Sequence, residues 1–322
     1  MQYREFGRTG WKVSEIGFGA WQIGGTWGPV NDKDSIETLL YAFEKGINFV
    51  DTAIAYGNGH SELVIGKALQ KWKGNKIYIT TKVHPQGEDF RTNHSIKDRY
   101  TIKYLKKEVE GSLKRLNVDT IDLLQLHLWF EDGLNDFVWL EGLSQLIKEG
   151  KIRSFGVSLP DINPASGIEL AKTGIVTSQQ VMYNIFEQEP NKELFRVGEA
   201  SKTAFIARVP FDSGALTGSW NDKTYESWDT KDKRHAMYRD GRFKETLQRI
   251  DKLKSISANH YASLAEMAMR FSLSDKAVST VICGMTNKKQ IDMNIQYSDG
   301  KQMNHELLEE LKQHEWKHQF YV

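Results

Sequence analysis

Four side chains with different acid–base chemistry follow short apolar runs of the sequence. Asp51, Lys82 and His127 each end such a run, and Tyr56 follows Asp51 after a short turn. A carboxylate, an ammonium, an imidazole and a phenol together can supply a proton and stabilise negative charge that develops on an oxygen atom. The residue types therefore indicate acid–base chemistry, provided that the fold brings them into one pocket.

Addition of a hydride to a carbonyl needs this set, because negative charge builds on the oxygen and a proton must be supplied. A free tyrosine, with a pKa of about 10, is a sluggish acid at neutral pH, and a nearby ammonium lowers that pKa. We predict that Tyr56 is the general acid and that Lys82 lowers its pKa. We expect Asp51 to hold Lys82 in an ion pair and His127 to bind and orient the carbonyl oxygen. In the oxidative direction Tyr56 would act as the base.

Each of the four residues also has an ordinary structural interpretation. An Asp at a strand end often caps a helix, a Lys there is often solvated, a Tyr in a loop usually packs, and a His can be a hydrogen-bonded core residue. Taken singly, these interpretations are favoured over function. All four residue types at successive strand ends are much harder to attribute to coincidence.

Strand and helix patterns alternate along the chain and would position these residues. Short apolar runs rich in β-branched residues are typical of buried parallel strands. They occupy residues 16–19, 47–50, 77–81, 121–126, 152–157, 175–181, 204–207 and 278–283. Apolar residues at helical spacing predict helices at 34–45, 61–72, 101–116 and 135–148.

The alternation predicts an α/β fold, a (β/α)8 TIM barrel, because eight strands joined by right-handed crossovers can close on themselves. A doubly wound open sheet is the alternative, but no GxGxxG joins a strand to a helix. Residues 3–16 predict a small N-terminal β-hairpin at the bottom of the barrel. No long linker interrupts the sequence, so we expect residues 1–322 to form one domain.

A long segment after the seventh strand, residues 217–249, breaks the alternation because it is polar, aromatic-bearing and irregular. A long loop at this junction would lie over the C-terminal face of the barrel, where active sites form. A plain surface loop is an equally supported alternative.

The composition favours a small-molecule partner over a polymer or a membrane. Of the 322 residues 39% are hydrophobic and 26% are charged, which is ordinary for a globular protein. The net charge of +1 gives no support for binding nucleic acid or an anionic membrane. The single cysteine cannot form an internal disulfide, no secretory signal is evident, and no run approaches the roughly 18 apolar residues of a membrane span. We therefore expect a cytoplasmic protein, and the sequence does not indicate its oligomeric state.

A metal-dependent hydrolase or isomerase on the same barrel is the main enzymatic alternative. His84, His94 and His127 are available, but no HExxH or paired-carboxylate spacing accompanies them. We therefore expect no metal site.

The sequence resembles the aldo-keto reductase family in several motifs. These are Asp51-Thr52-Ala53 with Tyr56-Gly57, Thr81-Lys82-Val83, Asp122 to His127, Gly156-Val157-Ser158, Gln180 to Asn184, and the late Gly284 with Gln290 and Asn294. The similarity extends from Phe6 to about Asn294, and residues 208–214 are similar to bacterial members near the inositol-operon reductases. The resemblance implies hydride transfer between a nicotinamide nucleotide and the carbonyl of a small substrate. The family also contains cofactor-binding sensors and channel-accessory subunits with slow turnover, which is the alternative function.

The resemblance also implies a cofactor site across the barrel mouth. Ser158 and Gln180 would hold the carboxamide, and Arg208 would stack on the nicotinamide ring and favour its reduced, uncharged form. Phosphates would lie near the loops after strands seven and eight. The residues implied for the cofactor are Ser158, Gln180, Arg208, Pro210, Ser213, Gly214, Leu216, Gly284, Thr286, Lys288, Gln290 and Asn294.

Three positions depart from the family pattern. Leu159 replaces the usual Asn, so Gln180 would carry more of the carboxamide contact, and Cys283 replaces a common Pro. Thr286 stands where many members have Arg or Lys for the adenosine 2′-phosphate, which weakens the case for NADP because charge-assisted hydrogen bonds are the stronger ones. Lys288 could substitute. We predict NADPH as the cofactor, with NADH as an open alternative.

Aromatic residues near the expected mouth are candidates for the substrate pocket. The residues implied for the substrate are Trp21, Trp27, Tyr56, His127, Trp129 and Phe130. Aromatic walls suit small carbonyl compounds and also sugars, whose C–H faces stack on indoles. We predict a sugar or polyol aldehyde first and a general aliphatic or aromatic aldehyde second. Ordinary packing between loops is an equally supported interpretation of the aromatic residues.

Overall fold

Strands and helices alternate along the chain in the computed structural model, which describes residues 1–25, 30–87, 95–230 and 232–318. The strands are β1 (Tyr3–Glu5), β2 (Lys12–Ser14), β3 (Ile16–Gly19), β4 (Phe49–Asp51), β5 (Tyr78–Val83), β6 (Ile121–Leu126), β7 (Ile152–Ser158), β8 (Ser178–Met182), β9 (Ala204–Arg208) and β10 (Val278–Gly284). The α-helices are α1 (Asp32–Glu44), α2 (His60–Lys71), α3 (Ile96–Arg99), α4 (Ile102–Leu116), α5 (Val138–Lys148), α6 (Gly167–Thr173), α7 (Leu194–Ala200), α8 (Thr224–Ser227), α9 (Lys233–Met237), α10 (Arg242–Ala258), α11 (Leu264–Leu273), α12 (Lys288–Ile295) and α13 (His305–Lys312). Short 3-10 helices lie at Gln22–Gly24, Glu131–Leu134, Pro164–Ser166, Glu189–Asn191 and Asp212–Thr217.

Strands β3 to β10 form a closed parallel barrel, in which each strand pairs with the next along the chain and β10 pairs with β3. This confirms the predicted (β/α)8 barrel, and every apolar run expected to be a strand is one. Barrel strands one to eight are therefore β3 to β10. Because parallel strands end on the same rim, the residues at their carboxyl ends meet at one mouth.

The N-terminal hairpin of β1 and β2, also confirmed, closes the opposite end of the barrel. Phe6 and Val13 pack in one buried cluster with Phe49, Leu123 and Ile206, and the Phe6 and Phe49 ring centroids are 5.4 Å apart. Full burial of each such side chain contributes about 1.5–3 kcal/mol to stability. The hairpin thus acts as an apolar plug beneath the site.

Helix boundaries agree with the predicted ones to within a few residues, and local capping explains them. The Asn31 side chain accepts hydrogen bonds from the backbone of Lys33 and Asp34 at the start of α1, and Thr101 accepts one from Tyr104 at the start of α4. Such N-caps satisfy backbone donors that have no partner within the helix. Helix α5 starts three residues later than predicted, at Val138, after a 3-10 helix that ends at Leu134. Within the described ranges, no helix is both long and apolar enough to cross a membrane.

The segment after barrel strand seven was predicted to be irregular, and this is wrong for much of its length. Residues 217–249 contain α8, α9 and the first turns of α10. Their aromatic side chains form a small core of their own, in which Trp220 lies 5.0 Å from Trp228 and 4.9 Å from Tyr238 between ring centroids. This packing stabilises helices that the polar sequence of the segment does not predict. Lys233 Nζ lies 5.4 Å from the centroid of the Trp21 ring, so the segment reaches the C-terminal face of the barrel.

Candidate active site

A buried ion pair lies at the carboxyl ends of barrel strands two and three. Lys82 Nζ donates hydrogen bonds to Asp51 Oδ2 at 2.6 Å, to the carbonyl oxygen of Thr52 at 2.9 Å and to the Tyr56 hydroxyl at 3.2 Å. Lys82 and Asp51 are each 1% exposed. Two opposite charges taken out of water stabilise each other only when both are hydrogen-bonded, as here. Asp51, Tyr56 and Lys82 thus meet in one place.

The pKa of Tyr56 differs from the prediction. Burial raises it, the Lys82 ammonium lowers it, Asp51 raises it, and the net pKa lies above the ordinary value of a tyrosine. Lys82 thus lowers the pKa of Tyr56 as predicted, but the cost of placing a phenolate in a buried site is larger than the attraction of the ammonium, and the pKa as a whole is raised. Tyr56 is accordingly a phenol that holds its proton at neutral pH.

Lys82 remains a cation in this pocket. Burial alone would lower the pKa of its ammonium, but the neighbouring Asp51 and Tyr56 outweigh burial, and the pKa is raised. A phenolate formed at Tyr56 would therefore face a positive charge. Lys82 is placed to limit the cost of proton loss from Tyr56.

His127 lies on the other side of Tyr56, with the two ring centroids 5.9 Å apart and nearly perpendicular. Burial, followed by the charge of Lys82, holds the pKa of His127 well below its ordinary value. The ring is therefore neutral at neutral pH and can donate a single N–H. Its Nδ1 atom is buried and has no hydrogen-bond partner within the described chain. The ring that the sequence predicted as an orienting donor thus lies beside Tyr56.

The second oxygen of Asp51 is held by two glutamines. Gln180 Nε2 donates to Asp51 Oδ1 at 2.7 Å, and Gln125 Nε2 contacts the same oxygen at 3.4 Å while donating to Thr80 Oγ1 at 2.9 Å. One N–H of the Gln180 side chain, a residue expected to hold the carboxamide, is therefore engaged by Asp51. Ser158 lies directly opposite Gln180 in the pairing of β7 and β8. The Ser158 hydroxyl group and the side-chain carbonyl of Gln180 are therefore neighbours at the mouth.

Arg208 ends barrel strand seven, as predicted, but its charge is balanced. Its guanidinium forms an ion pair with Asp161 and also lies 3.5 Å from the Leu159 carbonyl oxygen. The predicted preference for the reduced cofactor assumed that the positive charge of Arg208 has no counter-charge. The carboxylate of Asp161 supplies one, so that assumption is wrong. The pair links the loops after barrel strands five and seven.

The loop after barrel strand seven has an unusual backbone. Val209, Asp212, Ser213 and Gly214 all have positive φ, at 60°, 44°, 57° and 107°. Each non-glycine residue in such a conformation costs about 1–3 kcal/mol unless its surroundings hold it. The N–H groups of Gly214 and Leu216 donate to the Phe211 carbonyl oxygen at 2.9 and 3.0 Å. These two bonds stabilise the shape of the loop, and the phosphate contacts expected of Ser213, Gly214 and Leu216 stay a prediction.

Residues after barrel strand eight divide into two groups. Gln290 Oε1 accepts from the Thr286 backbone at 2.7 Å, and Lys288 Nζ lies 5.3 Å from the centroid of the Tyr41 ring, so both border the start of α12. Asn294 instead is buried and donates to Cys283 Sγ at 3.3 Å. An adenosine contact predicted for Asn294 would require this amide to leave the interior. Gly284 sits so close to the Gln22 side chain that a Cβ would overlap it.

The aromatic residues predicted to line the substrate pocket also separate. Trp21 faces Tyr56, with ring centroids 6.3 Å apart, and Trp27 lies outside the described residues. Trp129 is 1% exposed and packs 5.3 Å from Trp139, and Phe130 lies 6.3 Å from Tyr100. Trp129 and Phe130 are therefore buried against other aromatic residues, which agrees with the alternative interpretation that they are packing residues. Pro210, expected near the cofactor, is buried beside Arg208.

Comparison with known proteins supplies the family. Residues 15–315 match the Aldo/keto reductase family. The chain is 31% identical over 296 residues to aldo-keto reductase YhdN from Bacillus subtilis (strain 168), covering 91% of this chain and 87% of that one.

This chain belongs to the aldo/keto reductase family.

Two further relatives fit the family, although one is named as an enzyme and the other as a channel subunit. The solved structure of glycerol dehydrogenase AKR11B4 from Gluconobacter oxydans superposes with a TM-score of 0.78 at 27% identity, covering 97% of this chain and 94% of that chain. A "Probable voltage-gated potassium channel subunit beta" from Arabidopsis thaliana is 29% identical over 314 residues, covering 93% of this chain and 92% of that one. Membership of the aldo/keto reductase family therefore includes relatives named for different roles.

Sequence reasoning missed several residues at this aldo/keto reductase mouth. Gln125 could have been found, because it lies two residues before His127 and residues two apart in a strand face the same side of the sheet. His84, considered from the sequence only as a possible metal ligand, lies two residues after Lys82, and its ring lies 5.6 Å from that of His127. Asp161 carried no signal, because it lies in a loop beyond the end of β7. In the described ranges, no cluster of three or more His, Cys, Asp or Glu side chains could hold a metal ion.

Proposed function

We propose that this member of the aldo/keto reductase family reduces the carbonyl group of a small aldehyde or ketone with a hydride from NAD(P)H, and that residues 1–322 act as one domain. One observation carries the conclusion. Lys82 Nζ lies 2.6 Å from Asp51 Oδ2 and 3.2 Å from the Tyr56 hydroxyl, beside the neutral ring of His127. A protonated phenol, a fixed cation and a neutral N–H donor are the groups that carbonyl reduction requires.

Tyr56 acts as the general acid in this scheme. As hydride adds to the carbonyl carbon, the C=O π electrons move to oxygen, and the Tyr56 hydroxyl transfers its proton there. The resulting phenolate is stabilised by the ammonium of Lys82, which Asp51 holds in position. His127 donates its N–H to the carbonyl oxygen, orients it and stabilises the developing charge. Proton return from the alcohol to Tyr56 gives the oxidative direction.

The bound nicotinamide nucleotide would supply the hydride, and this mouth offers suitable groups for it. The Ser158 hydroxyl and the Gln180 carbonyl can bind a carboxamide, and the planar guanidinium of Arg208 can stack on a ring. Lys288 at the start of α12 and groups of the loop after β9 are candidates for the phosphates. We favour NADPH, with NADH as the alternative because Thr286 carries no charge for a 2′-phosphate.

The substrate class we propose is a small hydroxylated aldehyde or ketone, such as a triose or other short sugar. Trp21 beside Tyr56 offers an indole face to C–H groups, and a relative similar in structure is named as a glycerol dehydrogenase. A general aliphatic or aromatic aldehyde is the second class. Both classes fit a mouth in which the acid is next to an aromatic wall.

A panel of carbonyl compounds tests the activity with each reduced cofactor. NADPH and NADH oxidation should be followed with hydroxyaldehydes, hydroxyketones and unsubstituted aldehydes. The Tyr56→Phe variant should lose at least about 100-fold in kcat, the range that general acid catalysis contributes. The Tyr3→Phe variant, in the hairpin at the far end of the barrel, is the matched control and should retain wild-type rates. Equal rates for wild type and Tyr56→Phe would refute the role of Tyr56.

A cofactor-binding accessory subunit with slow turnover is the second candidate, favoured by the relative named as a channel subunit. Tight binding of NADPH, together with turnover slower than about one per minute on every carbonyl compound, would support this candidate. Rapid turnover that Tyr56→Phe abolishes would exclude it.

A further inference from the structure

A buried histidine near the end of the chain joins two loops of the barrel mouth. The His318 side chain has 0% exposure, with Nδ1 2.8 Å from Glu187 Oε1 and Nε2 3.0 Å from Asp212 Oδ1. Glu187 follows barrel strand six and Asp212 follows barrel strand seven. The tail therefore contacts both loops from the side of the mouth.

The geometry requires a protonated ring. Each nitrogen of His318 faces a carboxylate oxygen, and only the imidazolium has two N–H groups to donate. Burial alone would lower the pKa of His318, but Asp212 and Glu187 outweigh burial and raise the pKa to about 10. His318 is thus a fixed cation between two carboxylates.

The residues just before His318 anchor the tail. The Trp316 N–H donates to the Phe186 carbonyl oxygen at 2.7 Å, and the Trp316 ring lies 5.4 Å from that of Phe186 and 4.7 Å from that of His318. The Arg249 guanidinium lies 4.2 Å from the centroid of the Trp316 ring. These contacts place the imidazolium with little freedom.

Asp212 lies in the part of the loop that has a strained backbone. Asp212 belongs to the run of positive-φ residues after β9, and its side chain is fully buried. Its carbonyl oxygen also accepts a hydrogen bond from the Tyr238 hydroxyl at 3.1 Å. On the other side of the loop, Asn184 Nδ2 donates to the Val209 carbonyl oxygen at 2.9 Å. The charge-assisted bond from His318 is therefore one of the contacts that hold a strained backbone.

We propose that His318 is a positioning residue that keeps residues 209–217 in the conformation that binds the phosphates of the nicotinamide nucleotide. This role rests on the proposed function for its link to the cofactor, whereas the ordering of the loop is independent of it. Loss of the imidazolium leaves the loop ordered for a smaller fraction of the time, and the apparent affinity for a dinucleotide falls by that fraction.

Hydrogen exchange of the cofactor-free protein tests the ordering directly. His318→Ala should speed amide exchange in residues 209–217 and leave the loop after β10 unchanged. His314→Ala, the same substitution in the same tail, is the matched control. Glu187→Gln keeps the ring and its contact to Asp212 but removes one charge, so it gives a milder variant should His318→Ala fail to fold.

Equilibrium titration and kinetics test the link to the cofactor. If the loop of His318→Ala is ordered about one-tenth of the time, the Kd for NADPH rises about tenfold. At saturating NADPH, kcat should stay within about twofold of wild type, because Tyr56 and Lys82 are untouched.

Two results would overturn the inference. One is unchanged exchange in residues 209–217 of both variants, and the other is faster exchange throughout the barrel, which would indicate a general loss of stability. A wild type that binds neither NADPH nor NADH refutes the proposed function separately, and the exchange comparison still decides whether His318 orders the loop.

Discussion

The guanidinium of Arg208 is paired with the carboxylate of Asp161, although the two residues lie 47 positions apart. This pair connects two loops of the mouth and compensates a positive charge at the place where the family resemblance locates the nicotinamide ring. The charge state of this pair therefore bears on which redox form of the cofactor binds better.

Removing the carboxylate should shift the balance between the two cofactor forms. In Asp161→Asn the charge of Arg208 is unbalanced, and the positively charged oxidised ring is repelled. A partly exposed ion pair is worth up to about 1 kcal/mol, so the ratio of the oxidised to the reduced Kd should rise about fivefold. Fluorescence titration with both redox forms measures the ratio. Asp222→Asn is the exposed control, and an unchanged ratio in Asp161→Asn would remove Asp161 from cofactor selection.

The buried ion pair predicts opposite results for single and double variants. Lys82→Met leaves the Asp51 carboxylate buried without its cation, which should lower the free energy of unfolding by about 3–5 kcal/mol. Asp51→Asn combined with Lys82→Met removes both charges and should restore much of that loss. Urea unfolding measures stability. Carbonyl reduction should stay low in the double variant, because the cation that stabilises the Tyr56 phenolate is gone; recovered activity would show that Lys82 is structural.

Cofactor choice should respond to the uncharged residue at the start of α12. Thr286→Arg supplies a guanidinium for a 2′-phosphate, and a hydrogen bond to a charged group contributes about 1.5–3 kcal/mol. We expect the affinity for NADPH to rise about tenfold or more while that for NADH changes little. Thr286→Met, which adds length without charge, separates the two effects. Equal gains for both cofactors would place the 2′-phosphate elsewhere.

The imidazolium in the tail predicts a pH dependence of stability. The folded pKa of His318, about 10, lies above that of an unfolded histidine. Its contribution is therefore complete below about pH 6.5 and is lost as the pH rises towards 10. Asp212 and Glu187 face the ring, and Tyr238 contacts Asp212. Urea unfolding of wild type and His318→Gln at pH 6 and pH 9 measures the effect, and the difference between the two proteins should shrink at pH 9. A constant difference would show that folding does not raise the pKa of His318.

Much of the fold followed from the sequence because barrel strands carry a strong local signal. Each buried strand is a short apolar run, and residues at or just beyond its carboxyl end lie at the mouth of the barrel. This reasoning brought Asp51, Tyr56, Lys82 and His127 together, and the structure has them in contact or in adjacent positions. The roles of these residues in catalysis stay predictions.

Features that depend on pairs of distant loops could not be predicted in this way. Asp212 and His318 are 106 positions apart; Asp212 begins an irregular 3-10 helix and His318 lies in the tail, so no regular periodicity in the sequence orients either of them. The direction of the Tyr56 pKa depends on how deeply the phenol is buried, which no local pattern encodes. Trp129 was expected at the mouth because it follows His127, but a turn of the chain directs it into the core.

The seam at which the barrel closes joins the first barrel strand to the last. Ile16 of β3 pairs with Val281 of β10, so the barrel cannot close until almost the whole chain is present. During synthesis, the edge of β3 that pairs with β10 stays unpaired until β10 has been made, and such an edge can pair with other chains. Production of the protein in truncated form should therefore yield aggregates, and chaperone demand should be greatest just before the final strand leaves the ribosome.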